Sequence, residues 1–200
     1  MVPKTISHQE VVDLVKNKQR WIKEKLEIQQ ALPKVKPKKF IAGEFFYFLG
    51  NSYQLQIKKG SHPYLLFQKD CFIVYVRNSE TDNARVIKPL LKKWYQQQAE
   101  EILLAKTAAY AKIIGIKPGK ITVKSFKSRW GSCSINGDLQ YNWRIVMAPD
   151  EIINYLVVHE LCHILHHNHS PSYWRTVAQF HPEYKESRAW LKTNGRLLEF

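Results

Sequence analysis

The 200-residue sequence predicts an α+β fold, and three observations carry that expectation. Apolar residues recur at helical spacing near the N-terminus and through a long central stretch. Short β-prone runs punctuated by turn residues lie between them, and a second, briefer β block leads straight into a helix that is apolar around most of its circumference. The expected organisation is a single domain over residues 1–200: an N-terminal helix and basic connector in 1–40, an antiparallel β-meander in 41–80, and a helical part in 84–200.

Residues 7–32 read as one helix. Ser7 is placed as the N-cap and Glu10, three residues on, as its capping-box partner; Val11, Leu14, Val15, Trp21, Ile22 and Leu26 follow the 3.6-residue period, and Pro33 ends it. Pro33 to Lys39 is a basic, proline-interrupted connector. The runs Phe45–Leu49, Tyr53–Ile57, Tyr64–Gln68 and Phe72–Val76 are separated by Gly50-Asn51, Gly60-Ser61 and Lys69-Asp70, hence the meander. Their aromatic and aliphatic residues are read as core, not as a ligand box.

A long helix is expected from about Ala84 to Ile114, with Leu90, Leu91, Trp94, Ala99, Ile102, Leu103, Ala109, Tyr110 and Ile113 buried and Gly115 closing it. Pro89 sits near its start, where a missing amide is tolerated or makes a kink. Strands at Ile121–Phe126 and Leu139–Trp143, with a turn at Asn136-Gly137, are expected to pair as a hairpin. A buried helix then begins at Pro149, with Asp150 and Glu151 placed where the helix dipole favours negative charge. Ser170-Pro171 opens a short helix, and Glu183 to Thr193 forms the last one, ended by Asn194-Gly195.

Composition narrows the class. With 44% hydrophobic residues and 12% aromatics the chain is globular. No run is long and apolar enough to span a bilayer, and Met1–Lys16 lacks the basic and apolar regions of a cleaved signal, so no membrane association and a cytoplasmic location are expected. The three cysteines, Cys71, Cys133 and Cys162, include no CxxC and support neither a disulfide framework nor a cysteine zinc site. Cys133 and Cys162, near the histidine window in sequence, are read as small buried hydrophobes outside catalysis. The net charge of +14 is dispersed: ten Lys/Arg against four Asp/Glu fall in residues 1–40, which leaves eight of the net fourteen in the remainder. Such a field favours weak association with anionic partners, nucleic acid among them, or simply keeps the protein soluble.

The chemistry is concentrated in the window HELCHILHHNH, His159 to His169. His159-Glu160-Leu161-Cys162-His163 is an HExxH, which on a helix puts two imidazoles on one face with a carboxylate beside them. A catalytic zinc takes three protein ligands and keeps one open position, so a third donor must lie nearby. His169 ranks first, because a helix ending near residue 167 can fold back there, with Asn168 in a left-handed conformation. His166 and Glu183 are the rivals. His166 would sit two turns up a continuing helix, and Glu183 would supply a carboxylate from a second helix. His167 is read as solvent-exposed, and the bland alternative for the whole window is a histidine-rich surface turn. In the catalytic reading zinc acidifies a bound water and Glu160 serves as general base.

Beyond HExxH, the segments Lys127–Ser134 (KSRWGSCS), Tyr141-Asn142-Trp143-Arg144, Ala148-Pro149, Tyr155–His163, Asn168–Pro171 and Tyr173-Trp174 resemble the YgjP-like metallopeptidase family, related to the SprT-like and Wss-type zincins. The resemblance is specific over residues 120–175. It implies a zincin-like metallopeptidase domain in which one zinc ion is held at positions matching His159, His163 and His169, with Glu160 as base. Two departures stand out: the chain enters at Val2-Pro3 near the end of an N-terminal hairpin that members carry, and Tyr173-Trp174 replaces a more usual Phe-Trp.

Arg129 and Arg144 are candidates for contacting an oxyanion or an anionic substrate group. The competing expectation is that Trp130, Trp143 and Trp174 form one aromatic cluster with the arginines stacked on it. The function expected is a zinc metallohydrolase acting on polypeptide. The alternatives are a nucleotide phosphohydrolase using the same kind of site, and a non-catalytic nucleic-acid or protein-binding module with structural zinc. A strand edge facing the metal would favour peptide, and converging Lys and Arg would favour phosphate.

Overall fold

The computed structural model describes residues 7–31, 36–77 and 83–200. The expected N-terminal hairpin remnant at Val2-Pro3 and the part of the connector at 32–35 lie outside the described residues. By contacts the chain divides into two compact units, Met1–Val35 and Lys36–Phe200.

In the first unit the single expected helix is two, α1 (His8–Asn17) and α2 (Gln19–Ala31), interrupted at Lys18, whose φ of −102° and ψ of 1° leave the helical region. The capping box is formed as expected: Glu10 N–H donates to Ser7 Oγ, and Ser7 N–H donates to Glu10 Oε2 at 2.8 Å.

The second unit is α+β with two small mixed sheets. The first has the order β1-β2-β4-β3, from β1 (Phe45–Phe48), β2 (Asn51–Lys59), β3 (Tyr64–Gln68) and β4 (Cys71–Val76). It is not the expected meander. The β1–β2 and β3–β4 pairs are antiparallel, but β2 and β4 run parallel, Leu55 opposite Phe72. The reason lies in composition: β4 (CFIVYV) is the most continuously apolar strand, and a central place, with a neighbour on each side, buries nearly all of it. A meander would have left it at an edge. The β3–β4 turn puts Lys69 and Asp70 at φ of 48° and 57°, and the β1–β2 turn puts Leu49 and Gly50 at 49° and 81°, one residue earlier than expected. Two successive positive φ angles match the twist of a tight hairpin. At Gly50 a side chain is also excluded by space, since a Cβ there would lie 2.9 Å from Pro149 Cα.

Helix α3 (Asn83–Ile114) follows, with Pro89 inside it and Gly115 at φ 78° closing it. Its buried residues are Ile87, Leu91, Tyr95, Ala99, Leu103, Thr107 and Ala111, a strict four-residue spacing. Four residues turn an α-helix by about 400°, so this stripe advances about 40° per step and winds around the helix. The N-terminal half therefore packs on the first sheet, where Tyr95 meets Phe48 and Phe72, while Thr107 donates to the Tyr141 hydroxyl in the second. Ala109 and Ile113, expected in the core, are on the exposed side for the same reason.

The second sheet has the order β5-β7-β6, from β5 (Ile121–Lys124), β6 (Gly131–Cys133) and β7 (Leu139–Asn142). The hairpin is β6–β7, and β5 joins β7 in parallel instead of forming the expected hairpin with it. A 3₁₀ turn, Trp143–Met147, leads from β7 to α4 (Asp150–Leu165), then α5 (Pro171–Phe180), α6 (Tyr184–Asn194) and a 3₁₀ turn at Gly195–Leu198. Lys106 of α3 reaches Asp150 and Asn154 of α4 at 2.8–2.9 Å. No helix among the described residues is long and apolar enough to cross a membrane.

Buried Asn142 ties the second sheet together. Its side-chain amide donates to the carbonyls of Phe126 and Arg129, its Oδ1 accepts from Arg144 N–H, and its own N–H donates to Trp130 O at 2.7 Å. The loop that delivers β6 thus hangs on one side chain. Asn142→Leu removes the donor of two hydrogen bonds and the acceptor of a third, and denaturant unfolding is expected to show a loss of about 2–4 kcal/mol. A loss under about 0.5 kcal/mol, typical of surface positions, would contradict this account.

Candidate metal centre

Helix α4 has three faces. Ile152, Ile153, Leu156, Val157 and Leu161 enter the main core; Tyr155, Val158 and Cys162 enter a second apolar cluster with Tyr173 and Val177 of α5. The third carries the strip His159-Glu160-His163, turned toward edge strand β6. Between α4 and β6 opens a cleft of about 480 Å3, lined by Gly131, Ser132, Cys133, Ile135, His159, Glu160, His163, His167 and His169.

Helix α4 stops at Leu165. His166 is its C-cap in an extended conformation (φ −141°, ψ 107°), and no left-handed residue makes the break: Asn168, expected in that role, instead accepts the Ser170 N–H on its Oδ1 at 3.2 Å. Ser170 then caps α5 by accepting from Tyr173 N–H. The chain so turned returns His169 to the first two histidines. Ring nitrogens of His159, His163 and His169 lie within 4.8 Å of one another, an arrangement that could hold a metal ion.

The tautomer of His163 is set by its neighbour. His163 Nδ1 lies 3.0 Å from the His166 carbonyl, which can only accept, so the proton sits on Nδ1 and the lone pair on Nε2. His159 Nδ1 faces the Tyr155 hydroxyl at 3.4 Å, and its Nε2 faces His169 Nε2 at 3.3 Å. Burial pushes the His159 pKa down to about 3, and the adjacent His163, His169 and Arg188 add to that. Burial likewise lowers His163 and His169. Three neutral imidazoles turning nitrogens toward one point are the protonation state and donor type that a borderline-soft divalent ion requires, and the cleft leaves one side open.

Glu160 is 4% exposed, and burial raises its pKa to about 8, with Arg129 pulling the other way. Its carboxylate fills the space beside Gly131, where a Cβ would sit 2.7 Å from Glu160 Cδ. The missing side chain at that position is what lets β6 approach the acid. Cys133 and Cys162 are held at about 11 and about 12, chiefly by burial, and carry no charge at neutrality.

Of the other sequence candidates, His166 is engaged elsewhere: Thr176 Oγ1 donates to Ser172 O, so it accepts from His166 Nε2 at 3.0 Å. The ring is kept from the histidine group by α5, not by a continuing helix. Glu183 is the N-cap of α6 and stands outside the group. His167 is exposed on the cleft rim. Arg129 lies over Phe126 at 5.5 Å, and Arg144 over Trp143 at 4.7 Å. The three tryptophans do not share one cluster: Trp143 packs on Tyr95 and Phe200, Trp174 on His169 and Tyr184, and Trp130 approaches Gly195.

Sequence reasoning missed Tyr155, Tyr173 and Arg188 as partners of the histidines. Tyr155 had a legible signal, one helical turn before His159, but Arg188 lies far along the chain and only packing brings it near. Tyr173 is fully buried, stacks on His163 with centroids 4.6 Å apart and planes at 24°, and donates its hydroxyl to His159 O at 3.1 Å.

An α+β domain that presents three convergent imidazoles and a buried acid on one cleft is built as a metal-dependent hydrolase. The chain belongs to the YgjP-like family: the model of the YgjP-like metallopeptidase domain matches residues 1–194, which makes this a metallopeptidase. Two solved structures are similar to part of this chain. The metallopeptidase zymogen of Pyrococcus abyssi abylysin is 24% identical over 45% of this chain and 93% of its own, with a TM-score of 0.41. That of Methanocaldococcus jannaschii jannalysin is 22% identical over 48% and 96%, also at 0.41. No curated protein matches the chain.

The two contacts of Tyr173 separate by mutation. Tyr173→Phe keeps the ring on His163 and removes one hydrogen bond, so thermal or denaturant unfolding is expected to register about 1 kcal/mol. Tyr173→Ala empties a core site and is expected to cost about 3–5 kcal/mol. Equal losses in the two variants would refute the division.

Proposed function

We propose that the protein is a zinc-dependent metallopeptidase in which His159, His163 and His169 hold the ion and Glu160 is the general base. The observation that carries the reading is the convergence of three neutral imidazoles beside a buried carboxyl in an open cleft. His163 presents Nε2, as its Nδ1 is committed to His166 O; His159 presents the Nε2 that faces His169. When bound there, zinc supplies Lewis acidity that both acidifies a water and polarises a substrate carbonyl.

The remaining roles belong to the chain. Glu160, with a proton affinity raised by burial, accepts the proton of the attacking water at a carboxylate oxygen and returns it to the departing amine. The charge of Arg129 offsets part of that rise, and a cation held by the three histidines would favour the ionised carboxylate further. Tyr155 and the His166 carbonyl orient two of the rings through their Nδ1 atoms.

Polypeptide is favoured over phosphate by the cleft wall. It includes an edge strand, β6, whose outer backbone groups can pair with an extended chain, and among the described residues no Lys or Arg lines the cleft. A purely structural zinc fits less well, because a closed site needs a fourth protein donor, and among the described residues the group contains three. Ile135, 76% exposed on the β6–β7 loop, offers an apolar contact to a substrate side chain.

Two measurements test this. Glu160→Gln is expected to keep zinc stoichiometry while hydrolysis of an unfolded polypeptide falls by about 10²–10⁴-fold. Parental cleavage by that variant, or loss confined to nucleoside triphosphate hydrolysis, would remove the peptidase assignment. Gly131→Ala, which displaces the acid without touching a ligand, is expected to lower turnover by about 10²-fold at unchanged zinc affinity. Wild-type turnover in that variant would show that the close approach of β6 is unimportant.

A further inference from the structure

His169 is the member of the histidine group that no helix carries. It lies between the end of α4 at Leu165 and the start of α5 at Pro171, and it is exposed. His159 and His163 have their backbones fixed by α4 and their Nδ1 atoms engaged. A side chain on a connecting segment has more freedom to lose, so other contacts must define where its ring points.

A column of stacked groups does so. Trp174 lies flat on His169, centroids 5.4 Å apart and planes at 23°. Against Trp174 in turn lie the Tyr184 ring, at 5.2 Å and 18°, and the Arg188 guanidinium, its carbon 4.9 Å from the ring centroid. Tyr184 and Arg188 both belong to α6, which packs along α4. Tyr173 stands edge-on to Trp174 at 85°, and edge-on to His169 at 80°. The guanidinium over an indole face and the parallel rings are both favourable arrangements, so the column is self-supporting without reference to any ion.

We infer that Trp174, clamped from α6 by Tyr184 and Arg188, is the positioning residue for His169, so that the third donor is placed from α6 and not by its own loop. The inference rests on His169 being a metal ligand. It also assigns a task to α6, which contributes nothing to the cleft lining.

The test uses the full chain and measures zinc affinity by competition with a chromophoric chelator, with the absorption spectrum of the cobalt-substituted protein reporting coordination and melting of the metal-free protein reporting the fold. Trp174→Leu is expected to weaken zinc about 10–100-fold, in the range of outer-shell substitutions, and to alter the cobalt spectrum. Trp174→Phe, which keeps a flat face on His169, is expected to stay within about 3-fold of the parent. In a His169→Ala background Trp174→Leu should add no further loss, because it acts through that ring.

Tyr184→Leu loosens the clamp without touching His169 and provides a second measurement should Trp174→Leu fail to fold; a loss of about 3–10-fold, also absent in the His169→Ala background, is expected. Unchanged affinity in Trp174→Leu or Tyr184→Leu, or an equal loss with and without His169, overturns the inference. Unchanged affinity in His169→Ala itself removes His169 as a ligand and overturns both this inference and the ligand set above.

Discussion

Helix α4 is packed on two sides at once, and the registry of those contacts decides which side chains meet the cleft. The main core takes Ile152, Ile153, Leu156, Val157 and Leu161, and the second cluster takes Tyr155, Val158 and Cys162. Each fully buried aliphatic side chain is worth about 1.5–3 kcal/mol relative to exposure. Rotating α4 by one residue, about 100°, would force several of them into water and drive His159 and Glu160 into apolar surroundings. The orientation of the site is therefore determined by residues that do not line the cleft.

That burial also sets the electrostatics. The packing that fixes α4 removes water from Glu160 and His159, and desolvation is the first cause of both the raised carboxyl and the lowered imidazole. A cation entering among neutral rings meets no charge repulsion from them, and it would draw the neighbouring carboxyl back toward ionisation. Substitutions in the second cluster, such as at Val158 or Cys162, thereby reach the chemistry through the dielectric as well as through position.

The legible parts of the sequence were those whose signal is local. The capping box at Ser7–Glu10, the span of α3, the closing Gly115 and the HExxH face of α4 all follow from residues within a turn or two of each other. Strand order was not local. The parallel β2–β4 pair depends on a comparison between strands, the richly apolar β4 displacing β3 to the edge. Strand β6 was missed because Gly131-Ser132-Cys133 has no alternation to read, although its glycine is what admits Glu160. At the site, the three histidines and Glu160 could be named from spacing. Arg188 and Tyr184 could not, because their link to His169 passes through Trp174 and exists only after α6 has packed.

The winding stripe on α3 has a consequence for how this protein can change over evolutionary time. Because its contacts are made at four-residue intervals around a spiral, the two ends of the helix are held in a fixed angular phase, Tyr95 against the first sheet and Thr107 against the second. Removing or adding one residue between them would turn one end by about 100° relative to the other, and no side-chain substitution restores such a phase error. Length variation in related chains should accordingly collect in the loops on either side of α3, while its central stretch behaves as a shaft of fixed length joining the two sheets.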